Sequence, residues 1–186
     1  DFKGKLLRLV DGGFVAEKKG ELYRLTPDAR FDRKMEFNPV WSISGSTSGR
    51  IELEKFLAPL KAGGFVASVN VSTPGVVGID RRLAMFDSDG HLISSYDTLG
   101  EFVFSAVELP DGRLLYGRYR SEYPSEADFS SSAFQIQGGN SLQRTDITGH
   151  ALALELQGSN VIVGGTLEPH SNPWNLNEQA GLVRLN

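Results

Sequence analysis

The chain contains no cysteine, which excludes disulfides, thiolate metal sites and a cysteine nucleophile. That absence does not fix the compartment, since secreted bacterial proteins often lack cysteine too; an extracellular or cell-envelope location is the expectation. Histidine is scarce. His91, His150 and His170 lie far apart, with no two at the i, i+2 or i+4 spacing of a metal pair, so no metal, no cofactor and no catalytic residue is assigned. No apolar run reaches the length of a membrane span, and no segment reads as a signal peptide. Basic residues are in deficit, 19 Lys and Arg against 23 Asp and Glu for a net charge of −4. Nothing in that balance drives phosphate binding, so no nucleic-acid partner is expected. Helical periodicity is nearly absent, and Ile51 to Leu60, which contains Pro59, reads as strand or loop. The chain opens on Asp1 rather than Met, which reads as a processed or excised piece.

What is abundant is glycine, 21 of 186 residues, and it recurs in register. Asp11-Gly12-Gly13-Phe14-Val15-Ala16 returns as Ala62-Gly63-Gly64-Phe65-Val66-Ala67, then as Asp111-Gly112-Arg113-Leu114-Leu115-Tyr116-Gly117, then as Gly158-Ser159-Asn160-Val161-Ile162-Val163-Gly164-Gly165. The spacing is roughly 46 to 51 residues, the range of propeller blades rather than of helical repeats. A lead-in strand precedes each turn: Leu6 to Val10, Phe56 to Leu60, Phe102 to Leu109 and Ala151 to Leu156. A second anchor follows each: Leu22 to Asp28, Leu83 to Gly90, Leu142 to Gly149 and Leu182 to Asn186. Strand, glycine turn, strand is a hairpin signal, because Gly accepts the positive φ that tight turns require. A small sheet cannot bury both faces alone, and stacked sheets bury them for each other.

The predicted fold is therefore all-β, a β-propeller or propeller-like arc of about four antiparallel blades. It forms a single repeat domain over 1–186, with repeats at about 4–37, 38–100, 101–150 and 151–186. It is either closed by its own termini or part of a longer chain. In the second case an open apolar sheet face would be covered by another domain or subunit.

The anchors resemble the delta-sixty repeat of bacterial propeller-like proteins. That pattern runs Asp-Gly-Lys, three apolar residues and Gly-Gly, then an apolar stretch with Arg-Leu-Asn or with Arg-Leu, two further residues and Asp or Gly, then an Asp. The stretches that carry the resemblance are Asp111 to Gly117, Val161 to Gly165, Arg24-Leu25-Thr26-Pro27-Asp28 with Asp32, and Leu182 to Asn186. The second repeat departs furthest, with Met85-Phe86 in place of Arg-Leu and no Asp-Gly in its hairpin. The resemblance implies the fold and no common catalytic residues.

Several local motifs read as turns or loops. Asp87-Ser88-Asp89-Gly90 resembles the first half of a calcium loop but lacks the later ligands, and is expected to be a turn. His91 and His150 each follow a turn Gly and read as equivalent surface positions. Gly45 and Gly49 stand at the spacing of a nucleophile elbow without its strand-to-helix context; Ser42 to Gly49 reads as a flexible loop. Asn70-Val71-Ser72 is a glycosylation triplet.

The linkers between first and second anchors are longer after the first repeat: Glu17 to Glu21, Ser68 to Arg82, Arg118 to Ser141 and Thr166 to Gly181. Equivalent connections should emerge on one face, where repeat proteins bind. The third holds Arg118, Tyr119, Arg120 and Tyr123; the fourth holds His170, Asn172, Trp174 and Asn175. Aromatic, Arg and Asn side chains beside Ser suit adaptable binding surfaces. The expectation is a non-enzymatic binding or scaffold module engaging a protein or glycan. The alternatives are a propeller hydrolase or lyase and a structural segment of a large surface or phage-tail-like assembly.

Overall fold

The computed structural model describes residues 5–38, 40–43, 47–75, 78, 80–98, 102–119, 134–136, 140–141, 147–169 and 180–185. They form sixteen strands and, among the described residues, no helix. The strands make four antiparallel sheets in strict chain order. The first contains β1 (Lys5–Arg8), β2 (Phe14–Lys18), β3 (Glu21–Leu25) and β4 (Phe31–Lys34). The second contains β5 (Val40–Ile43), β6 (Thr47–Leu60), β7 (Gly64–Ser72), β8 (Asp80–Phe86) and β9 (Leu92–Asp97). The third contains β10 (Phe102–Glu108), β11 (Leu114–Tyr119), β12 (Phe134–Ile136) and β13 (Asn140–Ser141). The fourth contains β14 (Ile147–Gln157), β15 (Asn160–Pro169) and β16 (Ala180–Leu185). All-β character and antiparallel sheets are thus as expected. The strands after the glycine turns, β2, β7, β11 and β15, each pair on both sides. The chain divides into two compact units, Asp1–Gly100 and Glu101–Asn186, each holding two sheets.

The hairpins are built by one local device. In the first, Leu9 N–H donates to Gly13 O at 2.8 Å and Gly12 N–H to Leu9 O at 3.0 Å, while Gly13 N–H donates to Asp11 Oδ1 at 3.1 Å. In the third, Leu109, Gly112, Arg113 and Asp111 repeat those bonds at 2.7, 3.0 and 3.0 Å. The glycine at the fourth position sits at φ of +86° in one and +85° in the other, a left-handed conformation that costs other residues roughly 1–2 kcal/mol. The aspartate occupies one of the backbone donors that the turn leaves over.

In the first unit, the two sheets share one core. Leu9, Val15, Leu22 and Met35 of the first sheet meet Ile51, Leu53, Phe56, Phe65, Ala67, Val69, Val71, Ala84 and Phe86 of the second. Period-2 alternation puts Phe65, Ala67, Val69 and Val71 on one face of β7. The rings Phe65 and Phe86 stack at 5.0 Å, with Phe56 edge-on to Phe65 at 5.3 Å and Phe37 edge-on to Phe86 at 5.7 Å. Lys5 Nζ crosses from β1 to donate to the Leu53 carbonyl.

In the second unit, Leu115 packs with Ala151, Val161 and Val163, flanked by Val107, Leu109, Ile136, Leu154 and Leu156. Here the sheets meet through small residues. Ser105 Oγ–H donates to Ala151 O at 3.0 Å. A Cβ on Gly117, which pairs with Ser105, would stand 2.3 Å from that same carbonyl oxygen.

Four local expectations are corrected. Residues 42–43 and 47–49 belong to the β5–β6 hairpin, with Ile43 paired to Thr47, so the stretch read as a flexible loop is largely strand. Phe134–Ile136, which carries no repeat anchor, forms the third strand of the third sheet, and Ile147 to Gly149 at the end of the Leu142 anchor open β14; residues 142–146 of that anchor lie outside the described residues. His150 lies inside β14, paired with Thr166, whereas His91 follows a turn, so the two are not equivalent. The anchor linkers also shorten. Ser68–Ser72 and Asp80–Arg82 extend β7 and β8, and Arg118 and Tyr119 end β11.

Candidate functional site

Each unit sends out its longer connections from the strand that follows a glycine hairpin. Between β2 and β3 the link is the tight turn at residues 19–20, with Lys19 at φ 57° and Gly20 at φ 79°. Between β7 and β8 it is residues 73–79, between β11 and β12 residues 120–133, and between β15 and β16 residues 170–179. Positive φ at both turn residues is the two-residue geometry whose twist matches paired strands. The other three links hold more residues between the same pair of strands.

Of the residues assigned to binding, Arg118 and Tyr119 have a described backbone. They pair with Val103 and Phe102 at the last register positions of β10 and β11, directly before residues 120–133. Arg120, Tyr123, His170, Asn172, Trp174 and Asn175 lie outside the described residues.

A group of charged side chains that sequence patterning leaves unassigned lies where the first two sheets meet. The turn from Asp87 to His91 closes with Asp87 N–H donating to His91 O at 2.9 Å. Asp87 Oδ1 accepts from the N–H groups of Asp89 and His91, both at 2.9 Å. The calcium-like stretch is therefore a turn whose first carboxylate is engaged by its own backbone. Gly90 packs against the chain leaving β4, where a Cβ on Gly90 would stand 3.2 Å from Met35 Cβ. Glu36 N–H donates to Asp89 O at 2.8 Å, and Arg33 reaches Asp89 Oδ1 at 2.7 Å.

His91 completes this corner. Its Nε2 stands 3.0 Å from Glu36 Oε2 and its Nδ1 3.0 Å from Asp87 Oδ2. The hydrogen bond to Glu36 first, then that to Asp87, hold the imidazole above its ordinary range. Burial pushes the Asp87 carboxyl up, but the bonds from His91 and from Asp89 N–H outweigh it and leave the group below its usual range. The two ring nitrogens face different carboxylates, so the ligand atoms do not converge. Among the described residues no group of three His, Asp or Glu side chains forms a metal-holding cluster. The repeat equivalent of this turn, Thr26 to Arg30, uses a hydroxyl where the second sheet uses Asp87: Arg30 N–H donates to Thr26 Oγ1 at 3.1 Å. Equivalence of Asp87 and Thr26 was legible in the sequence; the reach of His91 to Glu36, in the link after β4, was not.

Asn70 of the glycosylation triplet sits within β7, paired with Glu52 and Arg81, and its amide oxygen is buried. No protein-family model and no curated protein matches the chain.

Proposed function

We propose that the chain is a non-enzymatic binding or scaffold module of β-propeller type, related in design to the delta-sixty repeat. It engages a protein or glycan through the connections after β7, β11 and β15. One observation carries the reading. The link that is a two-residue turn between β2 and β3 is replaced in the other sheets by residues 73–79, 120–133 and 170–179, leaving the strands on either side paired. Extra chain added at one repeat position, carrying Arg120 and Tyr123 in the third sheet and Trp174 with three Asn in the fourth, is chain kept for contact rather than for folding. Stacked sheets supply a rigid base, which lowers the ordering cost of binding.

The test is a glycan array together with a pull-down from a candidate protein library, run on the chain and on variants. Trp174→Ala should weaken the interaction by upwards of about 2 kcal/mol if Trp174 anchors it, with the thermal midpoint nearly unchanged. Trp174→Ala that melts the domain while the folded remainder still binds would reject the loop reading.

The structural-segment alternative draws on a separate observation. Leu6 and Phe31, on the outer face of the first sheet, are 54% and 65% exposed.

A further inference from the structure

The lead-in strand of three sheets carries a β-bulge at one shared register position. Pairing slips at Glu54, where β6 meets Ser68 and Val69, at Phe104, where β10 meets Gly117 and Arg118, and at Leu152, where β14 meets Gly164 and Gly165. These partners stand three and four residues after Phe65, Leu114 and Val161, the first apolar residues past each hairpin. β6 carries a further bulge at Leu57. In the first sheet β1 and β2 pair from Lys5 to Arg8 with no slip. The sheets with a long link therefore have the bulge, and the sheet with the two-residue turn pairs evenly over its described residues. Bulges re-aim side chains and are frequent beside active sites.

The second register row beyond the bulge holds Glu52 and Asn70 in the second sheet, Phe102 and Tyr119 in the third, and His150 and Thr166 in the fourth. In the second sheet that row runs on to Arg81 of β8. Val69 and Val71 enter the core, so Asn70 and its partners lie on the opposite face. Arg50 and Glu52 are open to solvent, and Asn70 and Arg81 are half-buried. The bulge turns the Glu54 carboxylate to the same face, where Ser68 Oγ–H donates to it at 2.7 Å; Lys55 pairs with Ser68 beside it. Asp80, Arg82 and Asp97 belong to the other face of the sheet. Asn70 Oδ1 is covered and accepts no hydrogen bond. An acceptor left so is costly to the fold, and this one stands at the base of the link at residues 73–79.

We propose that Glu52, Asn70 and Arg81 form a carbohydrate subsite that takes neighbouring hydroxyls of a neutral sugar. The proposal rests on the reading of the long links as the binding side and commits that side to a glycan. The row runs from an acceptor-only carboxylate, through an amide that both donates and accepts, to a donor-only guanidinium. A sugar hydroxyl also does both, so adjacent hydroxyls satisfy all three groups in turn. An anion would be repelled by Glu52 and Glu54, and a cation by Arg50, Lys55 and Arg81. These acids and bases are interleaved on one face, which leaves no single-sign field for either. Neighbouring strands stand about 4.8 Å apart, so the three side chains span roughly 10 Å, room for one ring with a hydroxyl at each side. With the carboxamide turned outward, a sugar hydroxyl donates to Asn70 Oδ1 and relieves the acceptor that the fold leaves unbonded.

Proton–nitrogen correlation spectra of the chain test this, titrated with the methyl glycosides of glucose, galactose and mannose from about 1 to 50 mM, the range of a site with few hydrogen bonds. At least one sugar should shift the amides of Glu52, Asn70 and Arg81. Asn70→Val should weaken that binding about tenfold, one lost hydrogen bond. Its thermal midpoint should be unchanged or higher, because valine suits a strand and leaves no unbonded oxygen. Glu52→Gln, at an exposed position, should weaken binding by a similar factor and leave the fold untouched. Absence of shifts on this row with all three sugars would overturn the proposal. So would shifts of full strength in Asn70→Val, or a protein partner that covers the row in place of any sugar. Replacing residues 73–79 by a Lys-Gly turn separates the two readings. Shifts that survive there but fall in Asn70→Val would reject the link as the binding element and keep the subsite.

Discussion

The two units join their sheets by opposite means. In the first, large rings interdigitate: Phe56, Phe65 and Phe86 fill the space between sheets, and Met35 and Phe37 close the rim. In the second, Gly117, Ser105 and Ala151 let two backbones approach until a hydroxyl spans the gap. The first joint draws its stability from apolar area and ring geometry. The second draws it from close fit, where one added carbon is felt. The same repeat thus joins its sheets through large rings in one unit and through small residues in the other.

Substitutions can break that comparison. The largest effect is expected at Phe65→Ala, which empties the ring stack and should cost about 3–5 kcal/mol, read as a fall in the urea midpoint of the first unit. Gly117→Ala should cost the second unit about 1–3 kcal/mol by overpacking, although the change adds one carbon to a strand and would raise β propensity elsewhere. A neutral Gly117→Ala in thermal melts would refute the close-approach account. Ser105→Ala removes the donor to the Ala151 carbonyl and should cost about 1 kcal/mol; a double-mutant cycle with Gly117→Ala should show the two coupled.

The smallest effect belongs to His91, at the exposed rim of the aromatic joint. Its folded pKa is raised, so its contribution is complete below the unfolded value near 6.5 and fades as pH rises through the folded one. Asp87 is lowered, so its contribution holds above the unfolded carboxylate value and fades as pH falls through the folded one. The stability difference between the parent and His91→Gln should therefore be greatest in mild acid and shrink toward alkaline pH. An NMR titration placing the His91 imidazole at or below 6.5 would contradict this.

The turns were legible in the sequence because their chemistry is local: Asp11 and Asp111 bond to backbone two residues on, and the left-handed position demands Gly. The joints were not. Gly117 reads as the end of a repeat anchor, and its reason for being glycine is Ala151, far along the chain. Small residues at Ser105, Gly117 and Ala151 were the available signal, but only pairing shows that they converge. The third strand of the third sheet went unmarked for a related reason. Phe134–Ile136 is too short for alternation to mark it. Of the residues proposed for binding, Arg118 and Tyr119 are fixed by register at a strand end, which no composition argument could supply.

The turn at Lys19-Gly20 has a use in engineering. It occupies the repeat position that elsewhere holds a longer link, so the flanking strands already belong to an architecture that accepts extra chain there. Lengthening a flexible loop costs only about 0.6 kcal/mol per doubling, and exposed turn tips are where insertions succeed. A peptide epitope grafted between Lys19 and Gly20 would be displayed from a strand pair held by five register positions, from Phe14–Leu25 to Lys18–Glu21, making the first sheet a receptor for sequences of choice.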